Sequence, residues 1–81
     1  MSYFIYIVQC SDDTLYTGIA TDVKRRLEEH NSSDKGAKYT KARRPVKLVY
    51  SEESENRSSA TKREIAIKKL SRDKKLELID A

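Results

Sequence analysis

The sequence of 81 residues predicts one α+β domain, residues 1–81, with the element order strand, strand, helix, strand, helix, helix. Three observations lead to this fold class. Two short apolar runs rich in β-branched and aromatic residues stand at the start of the chain, separated by a polar turn. Two later segments repeat apolar residues at helical spacing, and a third short apolar run lies between them. No internal repeat, linker or low-complexity segment interrupts this order.

The first run, residues 3–10, reads Tyr-Phe-Ile-Tyr-Ile-Val-Gln-Cys, and both of its alternating faces are apolar. Because such a strand is covered on both sides, we expect it in the middle of a sheet. Residues 11–14 predict a turn, since Ser and Asp side chains bond the neighbouring backbone. Leu15–Ala20 then returns as an antiparallel partner. Gly18 inside this second strand indicates a bulge or a close approach to its backbone.

A helix is predicted after this hairpin, with Thr21 as its N-cap and Asp22 as its first residue. Its inward positions are apolar, at Val23 and Leu27. The polar run 31–36, which starts with Asn31, ends it. Three polar side chains fall along one line of the helix at four-residue spacing: Asp22, Arg26 and His30.

Pro45 opens the third apolar run, and the alternation over residues 46–50 predicts a half-buried strand that joins the sheet. One face of this strand would carry Val46, Leu48 and Tyr50. Residues 52–56 are polar and show no fold signal. A second major helix begins at Ser58 or Ser59, and its inward stripe is Ala60, Ile67 and Leu70. Ser71 then caps a short last helix, whose inward residues are Leu76 and Ile79.

The net charge of +4 is concentrated in residues 21–50, where nine Lys or Arg side chains face four acidic ones. Such a segment attracts polyanions, and its binding depends on salt through counterion release. Any single lysine here is more typical of a solvated surface. A cluster of basic residues at 35–44 also contains Gly36 and Tyr39 and few acids. It predicts nucleic-acid contacts by six residues: Lys35, Lys38, Tyr39, Lys41, Arg43 and Arg44.

The sole cysteine, Cys10, excludes a disulfide within the monomer and is typical of a small buried hydrophobe. The apolar start of the chain lacks the basic region and the cleavage site of a signal peptide. No run approaches the roughly 20 apolar residues that cross a bilayer. We therefore expect a mature cytoplasmic protein that does not bind a membrane.

Two tyrosines mark the hairpin ten residues apart, Tyr6 in Phe-Ile-Tyr and Tyr16 in Tyr-Thr-Gly, and Arg26 follows Gly18 by eight residues. Further on, the chain reads Lys-Gly-Ala-Lys-Tyr-Thr at 35–40 and Arg-Arg-Pro at 43–45. In this order and spacing the motifs resemble the GIY-YIG nuclease superfamily, and in particular its small stand-alone bacterial branch. The resemblance covers nearly the whole chain, with departures that include Phe4 and Ile19.

The resemblance implies a three-stranded antiparallel sheet flanked by helices. It also implies a phosphodiester-cleaving site that uses one divalent ion, Mg²⁺ or Mn²⁺, and a nucleic acid, above all DNA, as the partner. By position, the catalytic residues would be Tyr6, Tyr16, Arg26, His30 and Glu64. Among these, Arg26 would contact the scissile phosphate and Glu64 would bind the metal.

Phosphodiester hydrolysis needs an activated water and compensation for negative charge on the phosphoryl oxygens. Mg²⁺ held by one carboxylate and several waters supplies much of that compensation, so Glu64 alone can suffice. Arg26 offers a planar fork of donors. A tyrosine of pKa near 10 is a poor base, so a nearby cation must lower that pKa. We expect Tyr6 to be the base and Tyr16 to orient water or phosphate, although the reverse assignment is equally reasonable.

Each of these residues also has a structural explanation. Tyr6 and Tyr16 are compatible with ordinary sheet aromatics, and Arg26 could pair with Asp22 one turn earlier. His30 near a helix end is typical of a partner for the helix dipole.

Glu64 has its own structural alternative, because Thr61-x-x-Glu64 is a capping-box pattern.

Two other functions compete with a repair-type or DNA-processing endonuclease. One is a nucleic-acid-binding module with the same fold and basic surface but weak or no turnover. The other is a protein-interaction domain, for which the acidic stretch Glu52, Glu53 and Glu55 is the feature of interest.

Overall fold

A computed structural model describes residues 2–32 and 34–81, so that Met1 and Ser33, the latter in the run expected to end the first helix, lie outside it. The predicted order of elements is confirmed, with one short helix, α2, added. The elements are β1 (Tyr3–Gln9), β2 (Leu15–Ala20), α1 (Val23–Ser32), α2 (Lys38–Lys41), β3 (Lys47–Ser54), α3 (Arg57–Lys68) and α4 (Arg72–Asp80).

The three strands form one antiparallel sheet in the order β2-β1-β3. Strand β1 is therefore central, as its two apolar faces predicted, and the α+β architecture implied by the resemblance is confirmed. Four consecutive residues of β1 are buried: Ile5, Tyr6, Ile7 and Val8. Hydrogen bonds on both edges and side-chain contacts on both faces make β1 the best-protected segment of the chain.

Alternate residues of β1 divide the core into two clusters, one on each face of the sheet. On one face, Ile5 and Ile7 pack with two buried residues of α3, Ala60 and Ile67. On the other face, a second cluster combines buried residues with side chains of α1 and β2: Tyr6, Val8, Cys10, Val46, Tyr16, Ala20, Val23 and Leu27. Helix α1 thus covers the face of the sheet that carries Tyr6. The buried position predicted for Cys10 is confirmed, and burial raises the pKa of its thiol.

Two helices begin at other caps than the sequence predicted. The side chain of Asp22, rather than Thr21, accepts from the backbone N–H of Arg25 at 3.0 Å and caps α1. Helix α3 starts earlier than predicted, because the Asn56 side chain accepts from Ser59 N–H at 2.8 Å. In each case the carboxylate or amide oxygen of the residue just before the helix reaches one of the first free N–H groups.

Strand β3 extends well beyond residues 46–50, through the polar stretch in which no fold signal was found. Glu52 lies opposite Ile5 of β1, and its carboxylate accepts from the Tyr50 hydroxyl and from Arg63 Nε at 3.0 Å. Hydrogen bonds to the central strand and an ion pair to α3 therefore hold a segment that local hydrophobicity does not mark. Part of the acidic stretch 52–55 is thus used within the fold.

The simple alternation predicted for β3 is wrong. A bulge occurs opposite the Ile7–Val8 step, so that Leu48 pairs with Val8 and Tyr50 pairs with Ile7. As a result, Val49 and Tyr50 both contact the α3-side cluster. Leu48 is left on the α1 side and partly exposed.

The cap of α4 is as predicted, since the Ser71 side chain accepts from Lys74 N–H at 3.2 Å. The inward position of Ile79 is also confirmed, but its partner is Leu78. Leu70 and Leu76, both predicted to face inward, are each 37% exposed. Leu78 and Ile79 are the residues of α4 that pack against the core, and Leu76 lies on a more exposed side of the same helix.

Across residues 2–32 and 34–81, the helices are too short or too polar for any of them to cross a bilayer.

The cap of α3 provides a direct test of where this helix begins. We expect Asn56→Ala to lower the free energy of unfolding by about 1 kcal/mol, because the substitution frees the Ser59 N–H. Urea denaturation measures this loss. Ser58→Ala is the control and should change stability by less than about 0.5 kcal/mol, since Ser58 is exposed inside the helix. A larger loss for Ser58→Ala than for Asn56→Ala would contradict the assignment.

Candidate active site

The centre of the site is a buried hydrogen bond between a strand and a helix. Tyr6 of β1 is 2% exposed and His30, in the last turn of α1, is 0% exposed. The Tyr6 hydroxyl oxygen lies 2.7 Å from Nε2 of His30. His30 is therefore not a solvent-facing partner of the helix dipole, and Tyr6 is more than a packing residue of the sheet.

Gly18 makes room for this bond. It lies opposite Tyr6 in the β1–β2 ladder, and the Tyr6 ring crosses over it. A Cβ atom at Gly18 would stand 2.6 Å from the phenol oxygen and 2.7 Å from Cζ. The close approach predicted for this glycine is real, but the group that approaches is the Tyr6 ring rather than a phosphate or a helix.

Arg26 lies one turn before His30 on α1 and faces the same side of the sheet. Its Nη1 donates to Glu29 Oε1 at 3.0 Å and to the carbonyl oxygen of Lys35 at 2.7 Å. The alternative pairing with Asp22 is thus wrong. The rest of the guanidinium lies near enough to Tyr6 to act on the phenol through a hydrogen bond and through its charge.

Tyr16 forms a wall of the site beside His30. Its ring meets the His30 ring edge-on with centroids 5.4 Å apart. On β2 it is half-buried, and it stacks on Tyr39 of α2 at 5.9 Å and 20°. The guanidinium carbon of Arg43 lies 3.9 Å from the centroid of the Tyr39 ring, which extends this series of contacts to the surface.

Glu64 approaches the site from α3. Because Asn56 caps α3, Glu64 lies in the helix interior, and the capping-box alternative is wrong. Its side chain is 18% exposed and pairs with Lys68 at 3.4 Å. The charge of Glu64 contributes to raising the pKa of Tyr6, so the carboxylate lies within electrostatic reach of the phenol.

Burial dominates the electrostatics of the site. It raises the pKa of Tyr6 to about 12, although the Arg26 guanidinium acts in the opposite direction. Burial also lowers the pKa of His30, and the positive charges of Arg26 and Arg44 lower it further against the effect of Glu29. Arg26 does lower the pKa of Tyr6, as expected of a nearby cation, but burial outweighs it, so that the pKa is raised overall. At neutral pH, the phenol and the imidazole are both neutral.

Within residues 2–32 and 34–81, no group of three or more His, Cys, Asp or Glu side chains is placed to hold a metal ion. A closed site of the zinc type is therefore absent from that part of the chain, whereas Mg²⁺ held mainly by waters needs only one carboxylate. Glu64 is a carboxylate whose charge acts on the phenol, and it is paired with Lys68.

Beside Arg26, an open cleft of about 240 Å³ lies between the end of β2 and the start of α1. Four side chains of α1 and the residue before it line this cleft, with both signs of charge: Asp22, Arg25, Arg26 and Glu29. Tyr6 and Glu64 do not line it. Arg26 is therefore a residue that both lines this cleft and acts on the phenol.

The residues expected to bind nucleic acid have divided roles in the fold. Arg43 Nε donates to Asp12 at 3.0 Å, Arg44 Nε donates to the His30 carbonyl oxygen at 2.6 Å, and Tyr39 stacks as described. The Lys35 carbonyl accepts from Arg26. Lys38 and Lys41 are exposed on α2. The basic segment thus shapes the site as well as charging its rim.

Two residues near His30 have structural roles that the sequence did not predict. Thr40 is 0% exposed, and its Oγ1 lies 2.9 Å from His30 Nδ1. The Asn31 amide exchanges two hydrogen bonds with the backbone of Val46, at 2.7 and 2.9 Å, and so joins α1 to the start of β3. The signal for Thr40 was its place beside Tyr39 in the Lys-Gly-Ala-Lys-Tyr-Thr motif, but its burial is a tertiary property.

This arrangement of hairpin tyrosines, helix arginine and histidine defines a known class of domain. The family model of the GIY-YIG catalytic domain matches residues 2–77, and the chain belongs to this family, whose fold is nuclease-like.

Within that family, the similar proteins are of the UPF0213 group. A UPF0213 protein of Desulfotalea psychrophila is 60% identical over 80 residues, which cover 99% of this chain and 73% of that protein. The solution NMR structure of the UPF0213 protein BH0048 from Bacillus halodurans superposes with a TM-score of 0.63 at 42% identity and covers 99% and 84% of the two chains. That of protein EF2693 from E. faecalis gives 0.67 at 44% identity, with the same coverage.

The contact of Gly18 with Tyr6 predicts the effect of a single methyl group. We expect Gly18→Ala to lower the free energy of unfolding by about 1–3 kcal/mol, because the new Cβ displaces the phenol from His30. Urea denaturation measures the loss. In a Tyr6→Leu background, where the shorter side chain no longer reaches that point, the same substitution should cost much less. Equal costs in the two backgrounds would contradict the steric explanation.

The buried neutral state of His30 predicts a pH dependence of folding. The folded-state pKa lies below the ordinary value of 6.5, so the unfolded chain binds a proton first as pH falls. The His30 contribution to stability is therefore complete above about pH 6.5 and is lost as pH falls toward the folded-state pKa.

Urea denaturation between about pH 7 and pH 5 measures this dependence of the free energy of unfolding. Three carboxyl groups have pKa values below their ordinary values of 3.8 to 4.5: Asp12, Glu29 and Glu52. Their contributions to stability therefore change at lower pH than that of His30. His30 is the only histidine in the chain, so His30→Gln should remove the loss in this window. A variant that keeps the same slope as the native chain would refute the assignment.

Proposed function

We propose that this protein is a divalent-metal-dependent endonuclease that hydrolyses phosphodiester bonds of nucleic acid, with DNA repair or processing as its role. The observation that supports this best is the buried Tyr6–His30 hydrogen bond beside the guanidinium of Arg26. A phenol that can pass its proton to a neutral imidazole, next to a fixed cation, is suited to activate water against a phosphate.

Tyr6 is the proposed general base, acting together with His30. A phenol of pKa about 12 is protonated at neutral pH and cannot take a proton unless it gives up its own. Nε2 of neutral His30, 2.7 Å away, is placed to receive that proton while the phenol oxygen takes one from water. The hydroxide then attacks phosphorus. This assigns the base to Tyr6 rather than Tyr16, because it is Tyr6 that hydrogen-bonds His30.

Arg26 is the proposed phosphate ligand. Glu29 and the Lys35 carbonyl hold one of its terminal nitrogens, so the orientation of the planar fork is set before substrate arrives. Arg26 also lines the open cleft, so a phosphate can reach the guanidinium from solvent. Charge that develops on the phosphoryl oxygens in the transition state would meet a preorganised cation there.

Glu64 is the proposed ligand for one divalent ion, Mg²⁺ or Mn²⁺. A bound ion of this kind supplies charge compensation at a phosphoryl oxygen. Glu64 is half-buried and near the phenol, and its partner Lys68 is 51% exposed, so the ion pair is readily exchanged for a metal. Tyr16, which packs against His30, is proposed to orient water or phosphate beside the base.

The exposed lysines of α2, Lys38 and Lys41, are proposed to attract the nucleic-acid backbone toward this site. Such contacts go to phosphates and carry little sequence information, so selectivity would rest on nucleic-acid structure or on a partner protein.

Cleavage assays with branched, nicked and single-stranded DNA and RNA, in Mg²⁺ or Mn²⁺, test the proposal. We expect cleavage that EDTA abolishes. Arg26→Ala and Glu64→Gln should each lower the rate by about 10² to 10³-fold, and Tyr6→Phe should lower it more than Tyr16→Phe does. Matched controls on exposed positions of α4 are Arg72→Ala and Glu77→Gln, which should retain the full rate.

A nucleic-acid-binding module without turnover is the second candidate, and one observation favours it: Lys68 occupies the carboxylate of Glu64. In that case the chain would bind the same substrates in a salt-dependent way, with or without metal, and cleave none of them. Residual cleavage that is equal in Arg26→Ala, Glu64→Gln and the native chain would indicate a contaminating nuclease and reject the enzyme.

A further inference from the structure

Thr40 sits at the far side of the His30 ring from Tyr6. It belongs to the short helix α2, is fully buried, and has no place in the proposed reaction. Its Oγ1 lies 2.9 Å from His30 Nδ1 and also 2.9 Å from the carbonyl oxygen of Ala37. The imidazole thus bridges two hydroxyls, Thr40 at Nδ1 and Tyr6 at Nε2.

Counting protons orients this network. The threonine hydroxyl has one proton and the Ala37 carbonyl can only accept, so the 2.9 Å contact between them takes the hydroxyl proton. Oγ1 then accepts from His30, which places the ring proton on Nδ1. Nε2 is left as an acceptor, and the Tyr6 hydroxyl can donate to it at 2.7 Å. The three shorter hydrogen bonds, at 2.9, 2.9 and 2.7 Å, then each have one proton, and only the longer contact from Ala37 N–H to Nδ1, at 3.4 Å, is given up.

The opposite tautomer fits less well. With the proton on Nε2, Nδ1 would have to accept from Thr40 or from the Ala37 N–H, which is 3.4 Å away. Thr40 would then lose its bond to the Ala37 carbonyl. At the other end, Nε2–H would donate to the Tyr6 oxygen, and the phenol proton would then have no acceptor among the hydrogen bonds of residues 2–32 and 34–81.

We propose that Thr40 is a positioning residue that holds neutral His30 in the Nδ1–H tautomer, so that Nε2 is free to accept the proton of Tyr6. The catalytic consequence rests on the proposed nuclease function, whereas the tautomer does not. In the reaction, the Tyr6 proton moves to Nε2, the phenol oxygen takes a proton from water, and the hydroxide bonds to phosphorus while the bond from phosphorus to the leaving oxygen breaks. The leaving oxygen takes a proton from solvent, and His30 releases to solvent the proton that it gained. A ring with its proton already on Nε2 cannot take the first step.

Because His30 is the only histidine, ¹⁵N-histidine labelling gives one imidazole in the NMR spectrum of the protein. At about pH 8 the ring is neutral, and ¹⁵N shifts with two-bond ¹H couplings identify the protonated nitrogen. We expect Nδ1–H in the native chain and in Thr40→Ser, which keeps the hydroxyl. Thr40→Val removes the acceptor with little change of shape and should shift the population toward Nε2–H.

The control for loss of a buried hydroxyl is Thr17→Val on β2, which should leave the His30 tautomer as in the native chain. Native protein with its ring proton on Nε2 would overturn the proposal without any variant. An unchanged tautomer in folded Thr40→Val would overturn it as well.

Cleavage assays on the same Thr40 variants separate this inference from the proposed nuclease function. Thr40→Val should lower the cleavage rate by about 10- to 100-fold, and Thr40→Ser should restore most of it. A native rate in Thr40→Val with a changed tautomer would show that the tautomer has no catalytic importance. If the native chain cleaves nothing, the nuclease function fails, and a tautomer change in Thr40→Val still supports control of His30 by Thr40.

Discussion

The hydrogen bond between the Tyr6 phenol and the His30 imidazole is the contact on which the rest of the structure depends. It joins the central strand to the end of α1 across 24 residues of chain, between two side chains that are almost fully buried. Either partner left alone there would cost about 1–3 kcal/mol. By holding α1 on the sheet, the bond also sets Arg26 beside the phenol, and Gly18 provides the space for the ring.

Burial gives this pair its chemical character. It moves the two pKa values in opposite directions, upward for Tyr6 and downward for His30, so that two neutral groups share one short hydrogen bond. The positive charge of Arg26 opposes the first shift and reinforces the second. An ionised tyrosine is therefore not the resting state of the site, and proton movement between the two rings requires the right tautomer of the imidazole.

The basic middle of the chain serves mainly to build the site. Arg44 bonds the His30 carbonyl, and Arg43 covers the ring of Tyr39 while pairing with Asp12. Both arginines are thereby held by the fold. The charge that α2 presents outward comes from its exposed lysines. The positively charged surface is therefore smaller than the composition suggested. Positioning of the imidazole and an outward positive charge are thus combined in one short segment.

The sequence by itself determined the α+β class, the central position of β1 and the cap at Ser71, because the alternation of a strand and the cap of a helix depend on neighbouring residues. Its motifs also supplied the candidate site residues. It missed the extension of β3 through Glu52 and the short helix around Thr40. Those depend on an ion pair to α3 and on burial against His30, between residues ten or more positions apart. Only the tertiary structure decided that Tyr6, His30 and Thr40 form one network, because packing brings together groups that no local pattern connects.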